Sequence, residues 1–94
     1  MQTFVFFGKY SSEAVKGMSA ARTAKALGAI KRAGGEVKSM YALLGAPDLL
    51  LVVELPDTSA AVRTSLALAK LTGISFRTSP AVSVEEFDKL AAEA

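Results

Sequence analysis

The 94-residue sequence predicts a single α+β domain with the element order β-α-β-β-α-β and one further helix at its end. Short β-branched and aromatic runs alternate with longer stretches that combine helical periodicity with polar N-caps. Two of the four predicted strands are almost uniformly apolar, and the other two carry charges. Hydrophobic residues make up 51% of the chain and charged residues 21%, so the chain can build one modest core and is not intrinsically disordered.

Glycine, proline and capping residues separate the predicted elements. Gly8 stops the first strand, and Gly34 with Gly35 stops the first long helix, for which Ser19 is a favourable N-cap. Residues 45–48 predict a hairpin turn by their Gly, Pro and Asp content. The predicted strands cover residues 3–7, 36–44, 49–55 and 74–79; the predicted helices cover a single turn at 12–15, residues 19–33, residues 57–71 and a terminal segment from residue 83.

Apolar periodicity predicts which side of each helix faces the core. Leu68 and Leu71 point away from the expected stripe of the second long helix, which indicates that this helix is covered on two sides. The terminal helix has an apolar face that must pack on Leu68 and Leu71 or on a neighbouring subunit, because so short a helix is marginal alone in water. The predicted stripes are Thr23, Leu27 and Ile30 with Ala20 and Ala26 beside them; Val62, Leu66 and Ala69; and Val84, Phe87, Leu90 and Ala91.

The element order is that of the split βαβ, ferredoxin-like fold, with an expected strand order of 4-1-3-2 in a four-stranded antiparallel sheet. The first and third strands are apolar on both faces, as central strands are, whereas Glu36, Lys38 and Arg77 mark the edge strands. Two helices cover only one face of such a sheet. The uncovered apolar face therefore predicts self-association into a homodimer or a higher homo-oligomer.

Composition excludes several classes of function. Without cysteine or histidine the chain has no disulfide, thiolate metal site, His-ligated zinc or haem, or Ser-His-Asp triad, and we expect no metal and no cofactor. The net charge of +2 comes from basic residues scattered over the helices, so no nucleic-acid partner is expected. No apolar run is long enough for a membrane span and no leader pattern is present, so a cytoplasmic location without membrane attachment is expected.

Four segments resemble the GYD-domain family. They are Phe-Gly-Lys-Tyr at 7–10, Gly-Gly-Glu-Val-Lys-Ser-Met-Tyr at 34–41, Gly-Ala-Pro-Asp at 45–48, and residues 70–81 around the fourth strand. The resemblance covers essentially the whole chain and implies a dimeric α+β barrel, a group that includes EthD-like proteins, antibiotic-biosynthesis monooxygenases and muconolactone isomerases. Pro47 stands where the family's name motif has tyrosine. The resemblance implies no assigned molecular function.

The predicted topology brings candidate ligand-binding residues to one end of the sheet. Lys9 and Tyr10 end the first strand beside Asp48, and Tyr41 and Arg22 lie on the neighbouring strand and helix. Polar groups at the mouth of an apolar pocket are typical of a binding site. A structural alternative exists for three of them: Asp48 as a turn cap, Lys9 as a surface charge, and Tyr41 as a core residue with a solvated hydroxyl. Arg77 and Ser79 are expected toward the opposite end of the sheet, as interface or structural residues.

Three functions fit these observations. The first is an oligomeric domain that binds a small, mostly apolar and anionic ligand between helices and sheet. The second is a cofactor-independent enzyme of the monooxygenase or isomerase type, which needs a desolvated acid or base at the same mouth. The third is a purely structural or regulatory interaction module, in which all these polar groups are hydrogen-bonded internally.

Overall fold

The computed structural model describes all 94 residues as one antiparallel sheet with helices on one face. The strands lie in the order β2-β3-β1-β4, which confirms the ferredoxin-like arrangement with β1 and β3 at the centre. The elements are β1 (Gln2–Tyr10), α1 (Ser12–Lys16), α2 (Ala20–Arg32), β2 (Glu36–Ala42), β3 (Leu49–Leu55), α3 (Thr58–Thr72), β4 (Ile74–Ala81) and α4 (Val84–Glu93).

The core lies between the sheet and helices α2 and α3. Alternate side chains of the two central strands point into it, as the two-residue period of a strand requires. The rings of Phe6 and Phe76 meet edge to face with their centroids 5.9 Å apart. The buried cluster consists of Phe4, Phe6, Ile30, Leu51, Val53, Leu55, Ala60, Ala61 and Leu68.

The predicted core stripe of α3 is wrong. Leu68 is 1% exposed and fully inside the core, whereas Val62 and Leu66 are 53% and 59% exposed. The buried side of α3 is otherwise made of small residues, including Ala61 and Thr64. Ala60, Ala61 and Leu68 share the core cluster with Phe4 and Phe6, so apart from Leu68 the helix packs on the sheet through small side chains.

The predicted stripe of α2 is right at Ile30 and Ala26 and wrong at Thr23 and Leu27. Ile30 is buried, but Thr23 is exposed and Leu27 is 39% exposed. Ala26 and Ala29 occupy the core-facing positions beside Ile30. Both long helices therefore present alanine to the sheet and keep several large apolar residues outside.

Three strand ends differ from the predictions. β1 continues through Gly8 to Tyr10. A β-carbon at Gly8 would lie 3.0 Å from the side chains of Ile74 and Phe76, so only glycine fits between these strands without a shift. Glycine serves close packing between strands at this position and does not end the strand. β4 extends through Pro80 to Ala81, which is allowed because β4 is an edge strand and needs no outward N–H donor. β2 ends at Ala42, two residues earlier than predicted.

The face of the sheet opposite the helices is here called the open face. Its centre is formed by Val5 and Phe7 of β1 and Leu50 and Val52 of β3, which are only partly covered. The guanidinium of Arg77 stacks on the ring of Phe7 at 5.1 Å from the ring centroid. No element of this chain covers the open face. None of the helices is both long enough and apolar enough to cross a bilayer.

Candidate functional site

One end of the sheet gathers the end of β1, the β2–β3 hairpin and the start of β4. Asp48 joins the first two of these elements. Its backbone N–H donates to the carbonyl oxygen of Gly8 at 2.9 Å, and its carboxylate oxygen Oδ2 accepts the N–H of Tyr10 at 2.9 Å. Tyr10 lies opposite Ile74 in the sheet, which brings the start of β4 to the same place. The carboxylate of Asp48 thus holds the end of β1 in position.

A cavity of about 70 Å³ lies at this end, between α2, α3 and the sheet. Eight of its eleven lining residues are hydrophobic, and Arg22 is the only charged one. This is the composition of a small binding site: an apolar wall with one polar group that fixes orientation. The lining residues are Tyr10, Arg22, Thr23, Ala26, Met40, Leu49, Leu51, Leu68, Thr72, Ile74 and Phe76.

Arg22 is positioned by the start of α2. The Ser19 hydroxyl caps this helix by accepting the backbone N–H of Arg22 at 3.0 Å. The guanidinium Nη1 of Arg22 donates to the carbonyl oxygen of Ala14 in α1, and a β-carbon on Gly17 would lie 3.0 Å from Nη1. No carboxylate lies within 4.0 Å of the guanidinium. The two ion pairs of the chain are Lys38–Glu36 and Lys89–Glu85. A partly buried cation with unused donors therefore borders the cavity.

Thr72 is a cavity residue that sequence reasoning missed. Its hydroxyl donates to the carbonyl oxygen of Leu68 at 2.7 Å and accepts the N–H of Ile74 at 3.1 Å. Both hydrogen bonds are internal, so Thr72 shapes the wall and offers no free donor. In the sequence, Thr72 before Gly73 signals only the end of a helix, and nothing marks it as a cavity residue.

The five predicted site residues lie on both faces of the sheet. Tyr10 and Arg22 line the cavity, and Asp48 holds the main chain of Tyr10. Lys9 and Tyr41 lie on the open face: Lys9 alternates with Tyr10 along β1, and Tyr41 pairs with Leu50. The structure therefore brings two of the five, Tyr10 and Arg22, to the cavity on the helix side, and Asp48 contacts the main chain of Tyr10.

Arg77 also lies elsewhere than expected. It pairs with Phe7, two residues before Lys9 on the neighbouring strand, and so belongs to the Lys9 half of the open face. Lys9 and Arg77 border a shallow depression on that face together with Phe7 and Pro47. Neither cation has a carboxylate partner within 4.0 Å.

The chain matches the family model of the GYD domain over residues 4–91. No curated protein matches the sequence. The fold is similar to that of the leucine response regulatory protein of Mycobacterium tuberculosis, with a TM-score of 0.58 and 11% identity over 87% of this chain and 51% of that one. It is similar to a second crystal structure, that of a single-site mutant, with a TM-score of 0.57 and 12% identity over 87% and 50% of the two chains.

This chain spans about half the length of each of those two structures, and at such low identity the likeness extends to the fold alone. The family match is broader in its coverage, since it includes β1 from Phe4, the other three strands and most of α4. It also includes the segments at 7–10, 34–41, 45–48 and 70–81 that resemble the GYD-domain family. The chain belongs to the GYD-domain family.

Proposed function

We propose that this protein binds a small carboxylate with an apolar body in the cavity between the helices and the sheet. One observation carries the proposal: Arg22 is the only charged residue lining a mostly apolar cavity, and it has no carboxylate partner. Guanidinium groups bind carboxylates through charge-assisted hydrogen bonds, and such bonds strengthen where water is partly excluded.

The cavity volume restricts the size of the ligand. Ordinary ligand pockets enclose roughly 300–1,000 Å³, whereas this cavity encloses about 70 Å³. The ligand body is therefore limited to a few heavy atoms unless the start of α2 moves outward. Met40 and Leu68 on the walls favour a short aliphatic chain over a polar one.

Binding is better supported than catalysis. General acid–base chemistry needs a proton donor or acceptor within hydrogen-bond reach of the substrate. The Asp48 carboxylate accepts the main-chain N–H of Tyr10, and Lys9 lies on the other face of the sheet. No pair of acidic or basic side chains converges on the cavity beside Arg22.

We further propose that the protein works as a homodimer, or as a higher oligomer of dimers, paired through the open face. Val5, Phe7, Leu50 and Val52 form a contiguous apolar patch there, which no helix covers and on which only the Arg77 guanidinium stacks, over Phe7. A few hundred Å² of exposed apolar sheet costs several kcal/mol at about 25 cal/mol per Å². Packing of two such faces removes that cost, and two identical faces form a closed two-fold assembly.

The ligand proposal is tested by NMR titration of the ¹⁵N-labelled protein with butanoate and with its neutral analogue butanamide. Butanoate is expected to shift the amide signals of Tyr10, Arg22 and Leu49, and butanamide to shift them far less. Arg22→Gln is expected to weaken butanoate binding about tenfold to a hundredfold, because a hydrogen bond to a charged group contributes roughly 1.5–3 kcal/mol.

Lys9→Gln is the matched control, since it removes a cation on the other face of the sheet. Equal shifts with butanoate and butanamide, or equal affinity in Arg22→Gln, contradict the proposal. Loss of binding in Lys9→Gln with retention in Arg22→Gln places the anion site on the open face instead.

A further inference from the structure

Helix α4 has an apolar face that nothing in this chain covers. Val84, Phe87 and Leu90 are 75%, 61% and 48% exposed, and no residue of α4 is buried. The helix is nevertheless capped, since the Ser83 hydroxyl accepts the N–H of Glu86 at 3.1 Å. A ten-residue helix is marginal in water without a packing partner. Its well-formed apolar stripe therefore needs a surface to lie against.

The chain contains one surface of matching shape and character, here called the edge groove. It is a groove of about 240 Å³ between α3 and the edge strand β4. Val62 and Leu66 of α3 form one wall, and Phe76 and Pro80 of β4 form the other. No charged residue lines it. From Thr58 to Leu66 the groove follows about 12 Å of α3, and α4 is about 15 Å long.

The charges beside the two surfaces are opposite in sign. The charged residues of α3 are Arg63 and Lys70, both basic, and neither has a carboxylate within 4.0 Å. On α4 the single cation, Lys89, is paired with Glu85 at 3.8 Å. Glu86, Asp88 and Glu93 leave α4 with a clear excess of negative charge. A helix seated in the edge groove would bring these carboxylates toward the basic residues of α3.

The structure places α4 away from its own edge groove. Only Val82 and Ser83 join β4 and α4, and Ser83 is extended at φ −64° and ψ 155°. The radius of gyration is 14.1 Å, against about 12 Å for a compact chain of this length, because α4 projects from the domain. In this position both the apolar face of α4 and the edge groove stay exposed, so the helix that fills the groove can come from a second copy. Exchange of a terminal element between copies is a low-cost route to a dimer.

We propose that α4 of one chain lies in the edge groove of a second copy of this chain. Phe87 and Leu90 then fill the space beside Val62 and Leu66, and both apolar surfaces leave water together. This contact is separate from the open face and from the Arg22 cavity, because the edge groove opens on the helix side along β4.

Disulfide trapping tests the proposal directly, because the natural chain has no cysteine. Leu66→Cys and Phe87→Cys are made as separate single variants, at positions exposed enough to tolerate the change. The two proteins are mixed in equal amounts and oxidised, and the products are identified by peptide mass spectrometry. We expect a disulfide that joins one Leu66→Cys chain to one Phe87→Cys chain, formed at least tenfold faster than with the control Lys25→Cys, which lies on the exposed side of α2.

The double variant Leu66→Cys/Phe87→Cys distinguishes the two possible sources of α4. Oxidised at low concentration, it is expected to form covalent oligomers. A closed loop within single chains would show that α4 returns to its own groove, and would overturn the proposal. A mixture that cross-links no faster than the Lys25→Cys control would also overturn it. Neither position touches the open face or the cavity, so these outcomes leave the proposed function unaffected.

Discussion

Replacing Leu68 by alanine tests the packing of α3 against the sheet. Leu68 is 1% exposed and belongs to the central cluster with Phe4 and Phe6. The substitution removes three carbon atoms, which corresponds to about 2.4 kcal/mol of transfer free energy at roughly 0.8 kcal/mol each. The residual cavity adds to this, so the free energy of unfolding is expected to fall by about 3–4 kcal/mol.

Leu27→Ala on α2 is the matched control, since Leu27 is 39% exposed. It is expected to cost less than about 1 kcal/mol. The assay is urea denaturation of both variants and the wild type at one fixed protein concentration, because the stability of an oligomer depends on concentration. Equal losses in the two variants, or a larger loss in Leu27→Ala, would refute the assignment of Leu68 to the core.

Three further predictions follow from other contacts. Gly35→Ala is expected to cost about 1–3 kcal/mol in thermal or urea unfolding, because its β-carbon would overlap Leu55 Cδ2 and lie 2.9 Å from the carbonyl oxygen of Glu54. Gly28→Ala, whose nearest contact is the Arg32 Nη1 at 3.3 Å, is the control, and a loss as large there would contradict the steric reason. Asp48→Ala should speed hydrogen exchange of the Tyr10 amide and cost about 0.5–1.5 kcal/mol, whereas Asp48→Asn keeps an acceptor and should recover most of both; unchanged exchange would show that the 2.9 Å bond does not hold β1. A chain truncated after Ala81 should melt at a lower temperature and change its oligomeric state, and a wild-type melting curve with wild-type assembly would mean that α4 is a loosely attached tail.

The strand order could be predicted from sequence because a central strand is apolar on both faces, and this pattern appears within a few consecutive residues. Phe4 to Phe7 and Leu49 to Val53 contain no polar residue, while Glu36 and Arg77 sit on the other two strands. These differences identify the central and edge strands before any contact is known, since central strands are typically apolar throughout and edge strands typically carry charges. The structure confirms that order.

The helix stripes could not be predicted in the same way. The residues of α3 that face the core are mostly alanine and threonine, which carry little hydrophobic signal, whereas Val62 and Leu66 carry more. The buried residues of α3 pack in one cluster with Phe4, Phe6 and Phe76, which are distant in sequence, so the pattern within the helix does not show which side meets them. Hydrophobic periodicity therefore assigned Val62 and Leu66 of α3 to the core, although both are exposed.

The sequence predicted at which end of the sheet the candidate site lies, but not on which face of the sheet its residues lie. Antiparallel topology brings Tyr10 and Asp48 to one end, and both lie there. Which of Lys9 and Tyr10 faces the helices depends on the alternation along β1. Because Phe4, Val5, Phe6 and Phe7 are all apolar, that alternation leaves no trace in the sequence.

The molecular mass in solution tests most directly the central claim, that a second copy covers the open face. Sedimentation equilibrium at micromolar concentration is expected to give a multiple of the 9.8 kDa chain mass for the wild type. Leu50→Lys places a charge in the middle of the open face and is expected to lower the mass, leaving at most the copies that α4 joins, while the fold, followed by circular dichroism, is retained. Leu27→Lys, on the exposed side of α2, is the control and should keep the wild-type mass. A wild type that sediments as a single chain, or a Leu50→Lys variant with unchanged mass, would contradict the claim.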